Sequence, residues 1–339
     1  MPRSFYIQEA ELDDFQTRVI NRRTDNSFIV KGCAGSGKSI LALWKVKQIQ
    51  EEGRGSFYFI LFTKTLKQYM RDAIVSLNLN NDNVMHYERW KRLGCPSADY
   101  LIVDEAQDFA ECQVKEFTNS ANRALILYGD SAQQIYTFRD PKPITMEDIA
   151  YITRLKDEQL VWNYRLPKKV ARLAEYLSEV HDDLEGRCKL EGTEKPKILR
   201  YNTLHEQFDA IIQIVRNRNY DDVGIFLQNN QEVENAKNYF QEKGFPVEAK
   251  FRNNMDLDFS NDLPKLTTYH SSKGLQFEAV FMPDCKTEYD DARSSLYVAT
   301  TRTYQSLFIM HSGNLSSFFD EVPNNLYETS LTSQSSRRL

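Results

Sequence analysis

The sequence predicts an α/β protein built as two tandem units, each a parallel sheet flanked by helices. Three observations carry that reading. Short apolar runs alternate with stretches of helical period. A glycine-rich segment, G32-C-A-G-S-G-K-S39, lies between one such run and one such stretch. After a break near "FRDPKPITMEDI" the alternation resumes, and 339 residues is a comfortable length for two domains.

The elements follow in order. "SFIV", "SFYFILFT", "DYLIVDE" and "RALILYGD" are apolar runs too short for core helices, so they read as buried strands. Between the first two, Ile40, Leu41, Leu43, Trp44, Val46 and Ile49 recur at helical spacing, and Gly53 supplies a stop. Strand–helix–strand is the signature of a parallel sheet. In the second half, "HEQFDAIIQIVRNRN" and "QEVENAKNYFQEKG" read as helices, the latter ending at Gly244. "VGIFLQ", "FPVEAKF", "PKLTTYH" and "AVFMPD" read as strands. The expected domains are 1–155 and 156–322, followed by a disordered Ser/Thr-rich tail over 323–339.

Composition narrows the function classes. The chain is 41% hydrophobic and 27% charged, the profile of a globular protein, and no apolar run approaches the roughly 20 residues of a membrane helix. The N-terminus turns acidic before any signal-like apolar region. Cysteines 33, 95, 112, 188 and 285 form no CxxC pair, which argues against zinc or iron–sulfur sites and for a reducing, cytoplasmic setting. The net charge of −5 is unlike that of a dedicated phosphate-backbone binder, although a basic groove can sit on an acidic protein.

The glycine-rich segment fits G-x-x-x-x-G-K-[ST] in the context that gives it meaning, after a strand and before a helix. The backbone of Gly32, Cys33, Ala34, Gly35, Ser36 and Gly37 would wrap a β-phosphate at a helix N-terminus. Lys38 would reach the β- and γ-phosphates, and Ser39 would ligate Mg²⁺. An acid is then required for the metal. "LIVDEAQD" supplies Asp104 at a strand end as the Mg²⁺ ligand and Glu105 as acceptor of a proton from attacking water. ATP and Mg²⁺ are the expected ligands.

"DEAQD", "GDSAQQIYTFR", "NYR", "HSSKGLQF" and "YVATTR", in that order, resemble superfamily 1 helicases of the UvrD/Rep/PcrA type, from about Leu12 to Phe308. The resemblance implies two RecA-like P-loop domains with the nucleotide in the cleft between them. It implies that Gln16 reads adenine, Gln133 senses the γ-phosphate, Tyr164 stacks on the base, and Arg165 and Arg302 point guanidinium groups from the second unit at the γ-phosphate. Gln276 stands where that family usually has a ribose-binding glutamate, and Ile40 where many relatives carry an arginine near adenine. It further implies strand contacts by Phe62, Thr63, Lys64, His86, Tyr136, Phe138, His270 and Lys273. On chemistry alone, aromatic stacking grips every base, yet a phenylalanine after an apolar strand is more often core.

Only Tyr87 to Asp104 separates two blocks between which that family inserts a domain, and a second insertion before "TYHSSKGLQF" is missing too. The resemblance therefore implies a motor core alone, moving 3′→5′ on single-stranded DNA or RNA with a partner nuclease or accessory subunit. The alternative is a regulatory P-loop ATPase that switches a partner or effector without translocation. Repair, replication and antiviral defence all stay open as pathways.

Overall fold

The computed structural model describes residues 12–135, 140–179, 183–252, 255–286 and 292–331. Among the described residues the chain divides into two compact units, 12–165 with 258–260, and 166–257 with 261–331.

The N-terminal unit is built on six strands: β1 (Phe28–Gly32), β2 (Phe57–Leu61), β3 (Val84–His86), β4 (Ala98–Val103), β5 (Ala121–Gly129) and β6 (Asp157–Leu160). Their spatial order is β3-β2-β4-β5-β1-β6, and every pairing is parallel. Parallel strands are covered on both faces, which is why they read as unbroken apolar runs. β1 and β5 reach the core almost without polar interruption, through Phe28, Ile29, Val30, Ile126, Leu127 and Tyr128. The helix Lys38–Glu51 lays Leu41, Ala42, Val46 and Ile49 into the same core as Phe28, Val30, Phe59 and Ile102. Each large side chain buried there contributes about 1.5–3 kcal/mol. Lys45, on the buried side of this helix, donates to the carbonyls of Ile20 and Arg22, capping the end of the preceding helix Asp14–Asn21.

The division between the units falls inside β7 (Asn163–Pro167), which pairs with β8 (Cys188–Leu190) in a two-stranded ribbon. The C-terminal unit holds β9 (Lys197–Tyr201), β10 (Val223–Leu227), β11 (Glu248–Ala249), β12 (Lys265–Thr268), β13 (Phe277–Met282) and β14 (Thr303–Ser312). Their order is β11-β12-β10-β13-β14-β9, again wholly parallel. The helices Leu204–Arg218 and Asn230–Glu242 bury Phe208, Ile211, Val233, Ala236 and Phe240 against β10 and β14.

Three expectations change. The boundary expected after Leu155 lies about ten residues later, because β6 adds to the first sheet beside β1 and residues through Arg165 group with that unit. The tail expected to be disordered from 323 is ordered as far as Leu331 among the described residues. The Glu328 N–H donates to the Pro196 carbonyl at 2.9 Å, its carbonyl accepts from the Ile198 N–H at 2.9 Å, and its carboxylate accepts from buried Lys197 at 2.6 Å. The Ser/Thr-rich composition hid these few anchoring contacts. The strand expected over "FPVEAKF" contracts to Glu248–Ala249.

Candidate active site

In parallel α/β sheets, ligands meet the carboxyl ends of the strands. Here those ends of β1, β4 and β5 carry Gly32, Asp104 and Asp130.

The phosphate loop follows β1. Gly35 and Gly37 adopt φ of 78° and 91°, the left-handed region that glycine enters without strain. A side chain at Gly35 would also collide with the Asn163 carboxamide, and one at Gly32 would come within 2.5 Å of Ser36 Oγ. Neighbouring side chains fill the space that a Cβ would take at these two glycines. Lys38 is buried and curls back, donating to the carbonyls of Gly32 at 2.7 Å and Cys33 at 3.1 Å. Ser36 Oγ is buried without a hydrogen-bond partner. An orphaned hydroxyl, a lysine and a helix N-terminus on one glycine-rich turn fit a phosphate chain.

The two residues expected to hold a metal meet at the same place. Ser39 Oγ donates to Asp104 Oδ2 at 2.5 Å, and the Glu105 N–H donates to Oδ1 at 3.0 Å. Burial, and then the Glu105 carboxylate beside it, push Asp104 up to about 7. A carboxylate so penalised gains most from a cation, and hydroxyl plus carboxylate is an oxygen set that suits Mg²⁺. Glu105 sits in the left-handed region at φ 55°, unusual for a side-chain-bearing residue and typical of functional turns.

Two further contacts close the nucleotide side. Gln16 is buried on the helix Asp14–Asn21, and its amide donates to the Ser36 carbonyl at 3.1 Å. Its side chain therefore braces the phosphate loop. Tyr164 donates its hydroxyl to Asp13, and its N–H donates to the Gly35 carbonyl at 3.1 Å. Burial, together with Asp13, raises the Tyr164 phenol above its usual range. Arg165 is buried beside Asn163, whose side chain accepts from the Arg165 N–H at 2.9 Å. These residues were expected on the second unit. They lie against the phosphate loop in the first, because the chain leaving β6 returns over Gly35 before departing.

Sequence reading missed three participants. Asp13 accepts from Tyr164 and caps Gln16, whose N–H lies 2.6 Å away. Asn163 fills the space beside Gly35. Gln107 donates to Glu105 Oε2 at 2.5 Å and accepts from the Asp130 N–H at 3.0 Å. The signal for Gln107 was an amide amid the acids of D-E-A-Q-D. Asp130 in turn accepts from Gln133 Nε2 at 2.6 Å, so the expected γ-phosphate sensor is held in the network of the acid pair.

The expected strand contacts divide. Phe62 is 8% exposed and packs edge-to-face on Phe109 at 5.1 Å, in a cluster with Tyr87 and Phe117. It is a core residue here. Thr63 caps the helix Lys64–Tyr69 through the Leu66 N–H at 3.1 Å. Lys64 is exposed, and half-buried His86 ends β3. Burial, then Arg92, Lys64 and Lys67, hold His86 below its usual range against the opposing pull of Glu88. Tyr136 and Phe138 lie outside the described residues.

In the C-terminal unit, His270 lies 3.3 Å from Ser295 Oγ, Lys273 is buried, and Gln276 is half-buried just before β13. Arg302 is 1% exposed, and its guanidinium donates to the Val298 carbonyl at 2.8 Å and to Thr301 Oγ1 at 2.9 Å.

With this geometry, residues 28–311 match the viral superfamily 1 RNA helicase core domain. The chain belongs to that family. The helicase core is 28% identical over 242 residues to a probable DNA helicase of Mycoplasma pneumoniae, covering 63% of this chain and 44% of the relative. It is 29% identical over 96 residues to F-box DNA helicase protein 1 of Schizosaccharomyces pombe, covering 28% of this chain and 10% of the relative. The helicase core thus spans less than half the length of either. Among solved structures it is similar to the PRRSV helicase, with a TM-score of 0.48, 16% identity, and coverage of 88% of this chain and 54% of that one. It also resembles the C-terminal domain of a possible DNA helicase from Lactobacillus plantarum WCFS1, with a TM-score of 0.40, 18% identity, and coverage of 49% and 98%. Among the described residues no helix is long and apolar enough to cross a membrane.

Proposed function

We propose that this helicase core hydrolyses ATP to move along single-stranded nucleic acid, as a motor of the UvrD/Rep/PcrA type acting 3′→5′ on DNA. The observation that carries the reading is the junction of Lys38, Ser39, Asp104 and Glu105 at the carboxyl ends of β1 and β4. Lys38 exchanges its two loop carbonyls for phosphate oxygens. The loop N–H groups and the helix N-terminus orient the β-phosphate. Ser39 and Asp104 would hold Mg²⁺, which supplies charge neutralisation at the β- and γ-oxygens. Glu105 accepts the proton of the attacking water. Arg302 acts as a finger once its guanidinium leaves Val298 and Thr301, an exchange that makes catalysis depend on conformation.

Strand binding is assigned to Lys64 and His86 with the basic side chains around them, and to His270. The family description names RNA, whereas the curated relatives are named DNA helicases; DNA is chosen with the relatives. From His86 the chain reaches β4 through only the short helix Tyr87–Arg92. No inserted domain stands there to engage a duplex, so separation of long duplexes is assigned to a partner subunit. The test is ATP hydrolysis with and without single-stranded DNA or RNA. Stimulation by DNA above that by RNA supports the proposal. Hydrolysis indifferent to both polymers contradicts a motor and supports the regulatory switch.

A further inference from the structure

We propose that Gln107 is a positioning residue that sets the orientation of Glu105 and binds it to the turn carrying Gln133. The inference rests on the proposed ATPase reading.

Gln107 is completely buried, and all three of its polar contacts have fixed roles. The Asp130 N–H can only donate, so it pins Gln107 Oε1 at 3.0 Å. The amide nitrogen is thereby turned toward Glu105, where it donates to Oε2 at 2.5 Å. The Gln107 carbonyl accepts from Gln134 Nε2 at 2.7 Å, and that same nitrogen also reaches the Ile144 carbonyl at 3.1 Å. Glu105 stands in the left-handed region at the start of the 3-10 turn Ala106–Asp108, which carries Gln107 two residues on. The bond from Gln107 to Oε2 restricts rotation of the carboxylate.

Gly129 supplies an independent sign. No positive φ requires glycine at this strand end. A Cβ there would come within 2.7 Å of Gln107 Oε1 and would strike Met146. The missing side chain leaves room for the amide. The far end of the relay is Asp130, which accepts from Gln133 Nε2 at 2.6 Å and from the Ala132 N–H at 3.1 Å. The proton acceptor and the expected γ-phosphate sensor are therefore linked through one amide, and a shift of the 130–134 turn is felt at Glu105.

The test is Gln107→Glu, which keeps shape and the acceptor for Asp130 but replaces the donor with a carboxylate facing Glu105. Single-turnover ATP hydrolysis should slow between about 10- and 100-fold, the usual cost of losing an outer-shell partner. The dissociation constant for mant-ATP should stay unchanged. In a Glu105→Gln background, Gln107→Glu should add no further loss, since its effect acts through Glu105. Gln107→Met is the second variant should the first fold poorly. A wild-type rate in Q107E overturns the inference, as does equal loss of rate and mant-ATP affinity, full additivity with Glu105→Gln, or failure of both variants to fold. A wild-type chain without ATPase activity removes the parent reading and this one together. An active wild type matched by Q107E removes this one alone.

Discussion

The two units solve similar folding problems and present their polar residues differently. In the N-terminal unit the phosphate loop, the acid pair and Gln133 share one continuous hydrogen-bond network across three adjacent strand ends. In the C-terminal unit Arg302, the principal expected participant, is buried and donates to Val298 and Thr301 just before it in the chain. The first cluster is assembled by local topology. In the second, the Arg302 guanidinium already has internal hydrogen-bond partners. The contrast teaches that a motif can be complete where its residues lie at neighbouring strand ends, and conditional where its key side chain is already satisfied.

The sharpest way to break this contrast is Arg302→Lys, which keeps the charge and loses the planar fork. Hydrolysis should fall by about 10³-fold or more, with ATP affinity retained. Similar losses of affinity and rate would show that Arg302 serves the fold alone. Lys38→Ala comes next, with a loss of about 10²–10³-fold in rate, read in steady-state ATPase assays. Phe62→Ala separates core from strand contact: it should cost about 3 kcal/mol of stability in urea unfolding and leave the affinity of the folded protein for single strands intact.

Gly35→Ala is expected to cost about 1–3 kcal/mol, because its φ is positive and Asn163 fills the space beside it. The smallest effect lies in the C-terminal unit. Burial raises Asp222 to about 6, against the Tyr304 hydrogen bond and with help from Glu278. The folded chain then binds this proton more tightly than the unfolded chain does. Stability from this group is complete below pH of about 4 and is lost as pH rises through about 6. Asp222→Asn should flatten that slope, seen in melting temperatures across the interval; an unchanged slope would exclude Asp222 as its source.

Much of this was legible in the sequence because local patterns carried it. The alternation of apolar runs gave both parallel sheets, and G32-C-A-G-S-G-K-S39 gave the loop, since strand, glycines and helix are contiguous. Asp104 was legible from its place at a strand end. The rest depended on chain paths that composition does not encode. β6 carries Asp157, Glu158 and Gln159 and does not look buried, so the domain boundary was placed early. Tyr164 and Arg165 lie on the first unit because of the return past Gly35. Phe62 faces the Phe109 cluster, and no periodicity distinguishes that from a base. Gln107 acts through two partners 2 and 23 residues away, and only the more distant one fixes its amide.

The central claim is that the acid pair after β4 performs chemistry and is not merely a solvated strand end. Glu105→Gln tests it most directly, with Mg²⁺-dependent ATP hydrolysis and mant-ATP binding measured on the same protein. The account predicts retained nucleotide binding and hydrolysis reduced about 10²–10⁴-fold. Hydrolysis by Glu105→Gln at the wild-type rate would contradict it.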